Sequence, residues 1–176
     1  MTNKALLIAN WSFEPGADIE EQNRWPALKG PRNDVKLMVH ALTEKPYGLF
    51  ERENIICCEN FAKGKLETAI EDFFKDTETD DYVLVYYTGH GFPFNRKLRL
   101  VTHDAHKDAA TSAMPIATID ECVGALNRAE QYVLILDCCY AGAADSSGEK
   151  GNAEVATLDE ILPGRWALYS SDQYST

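Results

Sequence analysis

The stretch QYVLILDCCYAGAA, Gln131 to Ala144, joins two kinds of sequence. Tyr132 to Leu136 are apolar at every position, so a strand built from them must be covered on both faces. The run then breaks into Asp137, two adjacent thiols at Cys138 and Cys139, an aromatic and a cluster of small residues. A core strand has no packing use for two thiols beside a carboxylate at its end. The run predicts a buried central strand, and the break predicts a functional edge.

Runs of the same kind occur at ALLIAN (5–10), ENIICCE (53–59), DYVLVYYT (81–88) and RWALYSS (165–171). Helical patterns lie between them. Leu66, Ala69, Ile70, Phe73 and Phe74 repeat at i, i+3, i+4, i+7 and i+8. Ile119, Cys122, Val123 and Leu126 keep that spacing, and Val35, Met38 and Leu42 carry a sparser form. ATID at 117–120 offers Thr118 or Asp120 as the cap of a helix over 119–128. Strand–helix alternation with apolar strands implies an α/β fold whose mainly parallel sheet is covered on both faces. Ligands of such sheets bind beyond the carboxyl ends of the strands.

The 176 residues predict one domain, and no apolar run is long enough to span a bilayer. MTNKALLIAN reads as a first strand, not a leader. Five cysteines, two vicinal pairs among them and no CxxC, argue against a disulfide framework or zinc ribbon and for a reducing cytoplasm. Cys57 and Cys58 read as core. The net charge of −11, from 28 acids against 17 Lys and Arg, excludes nucleic acid and anionic membrane as partners and suits cationic substrates. Two irregular segments remain, residues 11–30 and the small, polar, acidic loop 142–164.

Strand 81–88 runs into TGHGFP, and strand 131–138 into DCCYAG. His90 and a cysteine pair therefore share one sheet edge, 49 residues separating His90 from Cys139. A thiol becomes a nucleophile when an imidazole nearby takes its proton. Gly89 and Gly91 allow a tight turn, and the Gly91 amide suits a developing oxyanion. A Cys-dependent phosphatase is excluded: it needs Arg six residues after the nucleophile, where this chain has Ala144 or Asp145. There is no GxxxxGK phosphate loop.

YYTGHGFP and LILDCCYAG resemble the two catalytic motifs of the caspase and metacaspase clan, close to Tyr-Ser/Thr-Gly-His-Gly and Asp-x-Cys-His/Tyr-Ser/Ala-Gly, at a His–Cys separation typical of caspases. LKGPRNDVKLM (28–38) resembles the segment opening the family's first helix, and LRLVTHDA the strand after its histidine loop. The resemblance implies a three-layer α/β/α sandwich, a single catalytic domain over 1–176 corresponding to the large-subunit, p20-like portion, with a p10-like part missing.

It further implies a cysteine endopeptidase. Cys139 would be the nucleophile, His90 the general acid/base, and the amides of Gly91 and Cys139 the oxyanion hole. Alternation agrees, since 137 and 139 share one face and 138 points to the core. Asp137, with Asp34 and Thr88, would line a pocket for Arg or Lys before the scissile bond. Asp137 as cap of a following helix is the alternative, and Arg32 and Arg99 are the nearby basic residues that an acidic substrate would need. Loop 142–164 would be the processing site, with Lys150-Gly151 the best self-cleavage point. ALYSSDQYST resembles the fifth strand and a pocket loop of the family. Protein substrates in stress, cell-death or antiviral pathways, a p10-like fragment or a regulatory partner would follow. A catalytically idle module for regulation or assembly is the competing class, and intact His90 and Cys139 argue against it.

No cofactor is expected. HDAHKD, with His103, Asp104, His106 and Asp108, suggests metal ligation but aligns with a post-strand turn. Many metacaspases use calcium, and Asp104, Asp120, Glu121 and Asp145 fall near the acidic positions. KDTETDD (75–81) reads as a solvated loop. Trp11, Trp25 and Trp166 suit either the cleft mouth or packing.

Overall fold

A computed structural model describes residues 2–95, 97–139 and 165–169, in the last stretch only Leu168 with its side chain. Five strands form one sheet in the order β2-β1-β3-β7-β8: β1 (Asn3–Ala9), β2 (Ile55–Glu59), β3 (Tyr82–Thr88), β7 (Gln131–Asp137) and β8 (Arg165–Tyr169). Every pairing is parallel. Each predicted strand is present within one or two residues of its expected ends. Helices α1 (Pro31–Thr43), α2 (Lys63–Lys75) and α3 (Ala117–Leu126) supply the crossovers.

The strands alternate between two cores. Leu6, Ile8, Val83, Val85, Tyr87, Leu134, Leu136 and Cys138 face α2 and α3. Ala5, Leu7, Ala9, Leu84 and Tyr86 face α1 and its Val35. The α2 residues Leu66, Ile70, Phe73 and Phe74 are all buried, as their spacing predicts. Each contributes on the order of 1.5–3 kcal/mol of apolar transfer. The result is the three-layer α/β/α sandwich expected.

Register matters most at the carboxyl edge. Ala9 pairs with both Glu59 and Thr88, and Thr88 with Asp137. Four strands thus end on one line, so whatever follows them lies side by side.

Between β3 and α3 a small antiparallel sheet intervenes in the order β4-β5-β6: β4 (Gly91–Phe94), β5 (Lys97–Leu100) and β6 (Met114–Pro115). Only β5 was expected. Leu98, Leu100 and Met114 are fully buried against the α2/α3 core, which anchors this sheet beneath the His90 loop.

Two expectations are corrected. Helix α3 starts at Ala117, and its N-cap is Ile116 with no side-chain cap bond. Burial of Ile116 in the core draws the helix start back, leaving Thr118 and Asp120 inside the first turn. The charge run 75–81 is not uniformly solvated. Asp81 is buried, accepts hydrogen bonds from the amides of Thr2 and Glu78, and pairs with Lys4 Nζ at 3.2 Å. It staples the loop to the start of β1.

Candidate active site

The site begins with the alternation of Tyr86, Tyr87 and Thr88 at the end of β3. Tyr87 points to the α2/α3 side and is fully buried. Its hydroxyl donates to the His90 carbonyl at 2.7 Å, with the Val101 carbonyl at 3.1 Å. The Val101 amide donates to the same His90 carbonyl at 3.0 Å. The backbone of the histidine loop is therefore fixed from beneath.

Both glycines are sterically required. A Cβ at Gly89 would lie 2.8 Å from the Tyr87 hydroxyl and 3.1 Å from the Asn10 carbonyl. One at Gly91 would lie 2.7 Å from the Cys139 carbonyl and 2.9 Å from Cys138 Sγ. The Gly89 amide donates to the Asp137 carbonyl at 3.3 Å. The histidine loop and the cysteine segment are thus in direct contact.

His90 is half-buried, its ring centroid 5.2 Å from that of Phe13 and 5.2 Å from that of Trp25. Nε2 lies 2.9 Å from the Pro26 carbonyl. A carbonyl only accepts, so the proton sits on Nε2 and Nδ1 carries the lone pair. Burial holds the imidazole below its ordinary 6.5; the Pro26 carbonyl opposes this and the Lys107 ammonium adds to it. The ring is therefore a neutral base near pH 7.

Segment 11–30 supplies this surround. The Asn60 side chain accepts the amides of Trp11 and Ser12, and the Asn23 carbonyl accepts the Lys107 amide. Trp25 also stacks on Phe92, and Trp11 packs against the α1-side core. Sequence reasoning missed Pro26 and Phe13, whose contacts with His90 carry no local signal.

At the end of β7 the two thiols separate. Cys138 is buried in the α2/α3 core, and burial pushes its thiol up to about 12, with Cys139 and Asp137 adding to it. Cys139 is exposed in the turn that follows. This is the division that strand alternation predicts.

The α1 face of the same edge holds an acidic cluster. Thr88 Oγ1 donates to Asp34 Oδ2 at 3.3 Å, and Tyr86 Oη to Asp137 Oδ2 at 3.3 Å. Asp34 sits in the first turn of α1, which Pro31 opens. Asp34, Thr88 and Asp137 are brought together, and Tyr86 joins them. Sequence reasoning missed Tyr86, although its place two residues before Thr88 puts it on the same face. Arg32 is exposed, and the Arg99 guanidinium lies 5.5 Å from the Phe94 ring.

The residues of HDAHKD are otherwise engaged. Asp104 Oδ1 accepts the Lys63 amide at 2.9 Å, capping α2, and the Thr102 hydroxyl at 2.8 Å. His103 Nδ1 meets the Ser12 carbonyl, and His106 pairs with Asp108. Among the described residues no three His, Cys, Asp or Glu side chains converge as a metal site. Among them, too, no helix is long and apolar enough to cross a membrane. Loop 142–164, Lys150-Gly151, Asp145, the side chain of Trp166 and the segment after Tyr169 lie outside the described residues.

A parallel α/β/α sandwich carrying a histidine loop against a cysteine turn at its carboxyl edge defines a caspase-like protein. A family model, peptidase C14, the caspase domain, matches residues 2–172. The chain belongs to this caspase-domain family. No curated protein matches. Among solved structures the chain is similar to protein GSU0716 from Geobacter sulfurreducens, with a TM-score of 0.60 at 15% identity. The match covers 81% of this chain and 52% of that one, and shows the fold alone.

Proposed function

We propose that this chain is a cysteine endopeptidase that cuts after Arg or Lys, with Cys139 as nucleophile and His90 as base. The observation that carries the specificity is the Asp34–Thr88–Tyr86–Asp137 cluster beside the cysteine turn. Two carboxylates on one face attract a substrate cation and repel an acidic side chain.

In the reaction Cys139 Sγ gives its proton to His90 Nδ1, and the thiolate attacks the scissile carbonyl carbon. The oxyanion takes hydrogen bonds from the Gly91 and Cys139 amides. His90 returns the proton to the leaving amine, which departs as the C–N bond breaks. Water, deprotonated by His90, then hydrolyses the thioester and regenerates the thiol. The Pro26 carbonyl keeps the ring in the tautomer that this requires. Cleavage of the 142–164 loop or a partner would activate the enzyme, within a cytoplasmic stress, cell-death or antiviral pathway.

The test is hydrolysis of fluorogenic peptides bearing Arg, Lys or Asp before the bond, by wild type and Asp137→Asn. Cleavage after Arg and Lys is expected, reduced at least about tenfold in Asp137→Asn because a charged hydrogen-bonding partner is removed. Cleavage after Asp alone would end this reading.

A further inference from the structure

Resting on that reading, we infer that Tyr86 is a positioning residue that makes the acidic pocket prefer Arg to Lys. Tyr86 is 4% exposed, and its ring is fixed in the α1-side core between Leu7 and Ile135 of the flanking strands. Its hydroxyl reaches the carboxyl edge and donates to Asp137 Oδ2.

The consequence is geometric. A hydroxyl has one proton, and here a buried ring aims it, so the Asp137 carboxylate cannot turn freely. Thr88 does the same for Asp34 through Oδ2. One oxygen of each acid is committed, and among the described residues no hydrogen bond engages the other, Oδ1, which is the one a substrate would meet. A guanidinium has N–H pairs fixed in a plane and gains most from two acceptors held in place. An ammonium is a compact charge with rotatable donors and is served by a carboxylate in many orientations. Releasing Asp137 therefore costs Arg more than Lys. Burial first of all, then the charges of the two acids, push the Tyr86 hydroxyl up to about 12, so it remains a donor at working pH.

The experiment is Tyr86→Phe, which keeps the buried ring and removes only the hydroxyl. Kinetics on Arg and Lys peptides should show kcat/KM for Arg falling about tenfold, mainly through KM, and Lys about twofold. A merely structural role would lower both alike. If wild type cuts after Arg or Lys and Tyr86→Phe keeps the wild-type Arg/Lys ratio, the role of Tyr86 is overturned and the peptidase reading stands. If wild type cuts after neither, both as isolated and after limited proteolysis of the 142–164 loop, the peptidase reading fails, and binding decides on Tyr86. N-acetyl-arginine amide and N-acetyl-lysine amide would then be titrated by NMR into Cys139→Ala with and without Tyr86→Phe. A selective loss of arginine amide binding upholds the role, and equal or absent binding ends it.

Discussion

Replacing Gly91 by alanine places one methyl carbon where the two halves of the site meet. That carbon would lie 2.7 Å from the Cys139 carbonyl oxygen, 2.9 Å from Cys138 Sγ and 3.2 Å from Leu98 Cδ1. Carbon and oxygen pack at roughly 3.4 Å or more, so the Cys139 backbone must retreat by on the order of 0.5–1 Å. Cys138 and Leu98 are both buried and cannot yield cheaply. Overpacking of this kind costs about 1–3 kcal/mol. For a chain of this size that lowers Tm by roughly 2–12 °C. Activity should suffer more than stability, because a displacement near 1 Å between reacting groups costs about 10²-fold. The assay is hydrolysis of an Arg-aminomethylcoumarin peptide beside a thermal melt. An alanine variant with wild-type kcat and Tm would refute the claim that the loop and the cysteine turn are in contact.

Gly124, in α3, and Gly64, in α2, are the contrasting cases, since a Cβ at either meets nothing within 4 Å. Alanine at each should stabilise by about 0.5–1 kcal/mol, read as a rise in Tm. Tyr87→Phe removes the donor to the His90 and Val101 carbonyls, so stability should fall by about 1–3 kcal/mol in denaturant melts. The acid limb of kcat/KM should lie below 6.5, since His90 must be neutral and its affinity for protons is depressed. Lys107→Gln removes the smallest cause of that depression and should move the limb upward; a limb unmoved would show that the Lys107 ammonium does not act on the titrating base. The same depression acts on folding: the contribution of His90 is fully present above 6.5 and is lost as pH falls towards its folded value. Urea melts across this window should show the loss in wild type and not in His90→Asn.

The central sheet was legible because its strands are apolar on both faces, and Tyr132 to Leu136 cannot be read otherwise. The division of Cys138 from Cys139 followed from alternation alone. The small sheet was not legible, for β4 contains Gly91 and Pro93 and β6 has two residues, so only burial of Leu98, Leu100 and Met114 makes them strands. The α3 cap was misjudged because packing of Ile116 outweighs a local hydroxyl or carboxyl. Asp81 hid in a charge run, since its partner Lys4 is 77 positions away. The Pro26 carbonyl was invisible for a deeper reason: any residue supplies a carbonyl, and Pro26 lies 64 positions from His90. The acidic cluster was half legible. Asp137, Thr88 and Asp34 came from a motif, whereas Tyr86 had only its parity to mark it.

The most direct test compares Cys139→Ala with Cys138→Ala on Arg and Asp peptides, with and without calcium. The account predicts that wild type and Cys138→Ala cleave after Arg and that Cys139→Ala does not. Activity surviving in Cys139→Ala but lost in Cys138→Ala would contradict it.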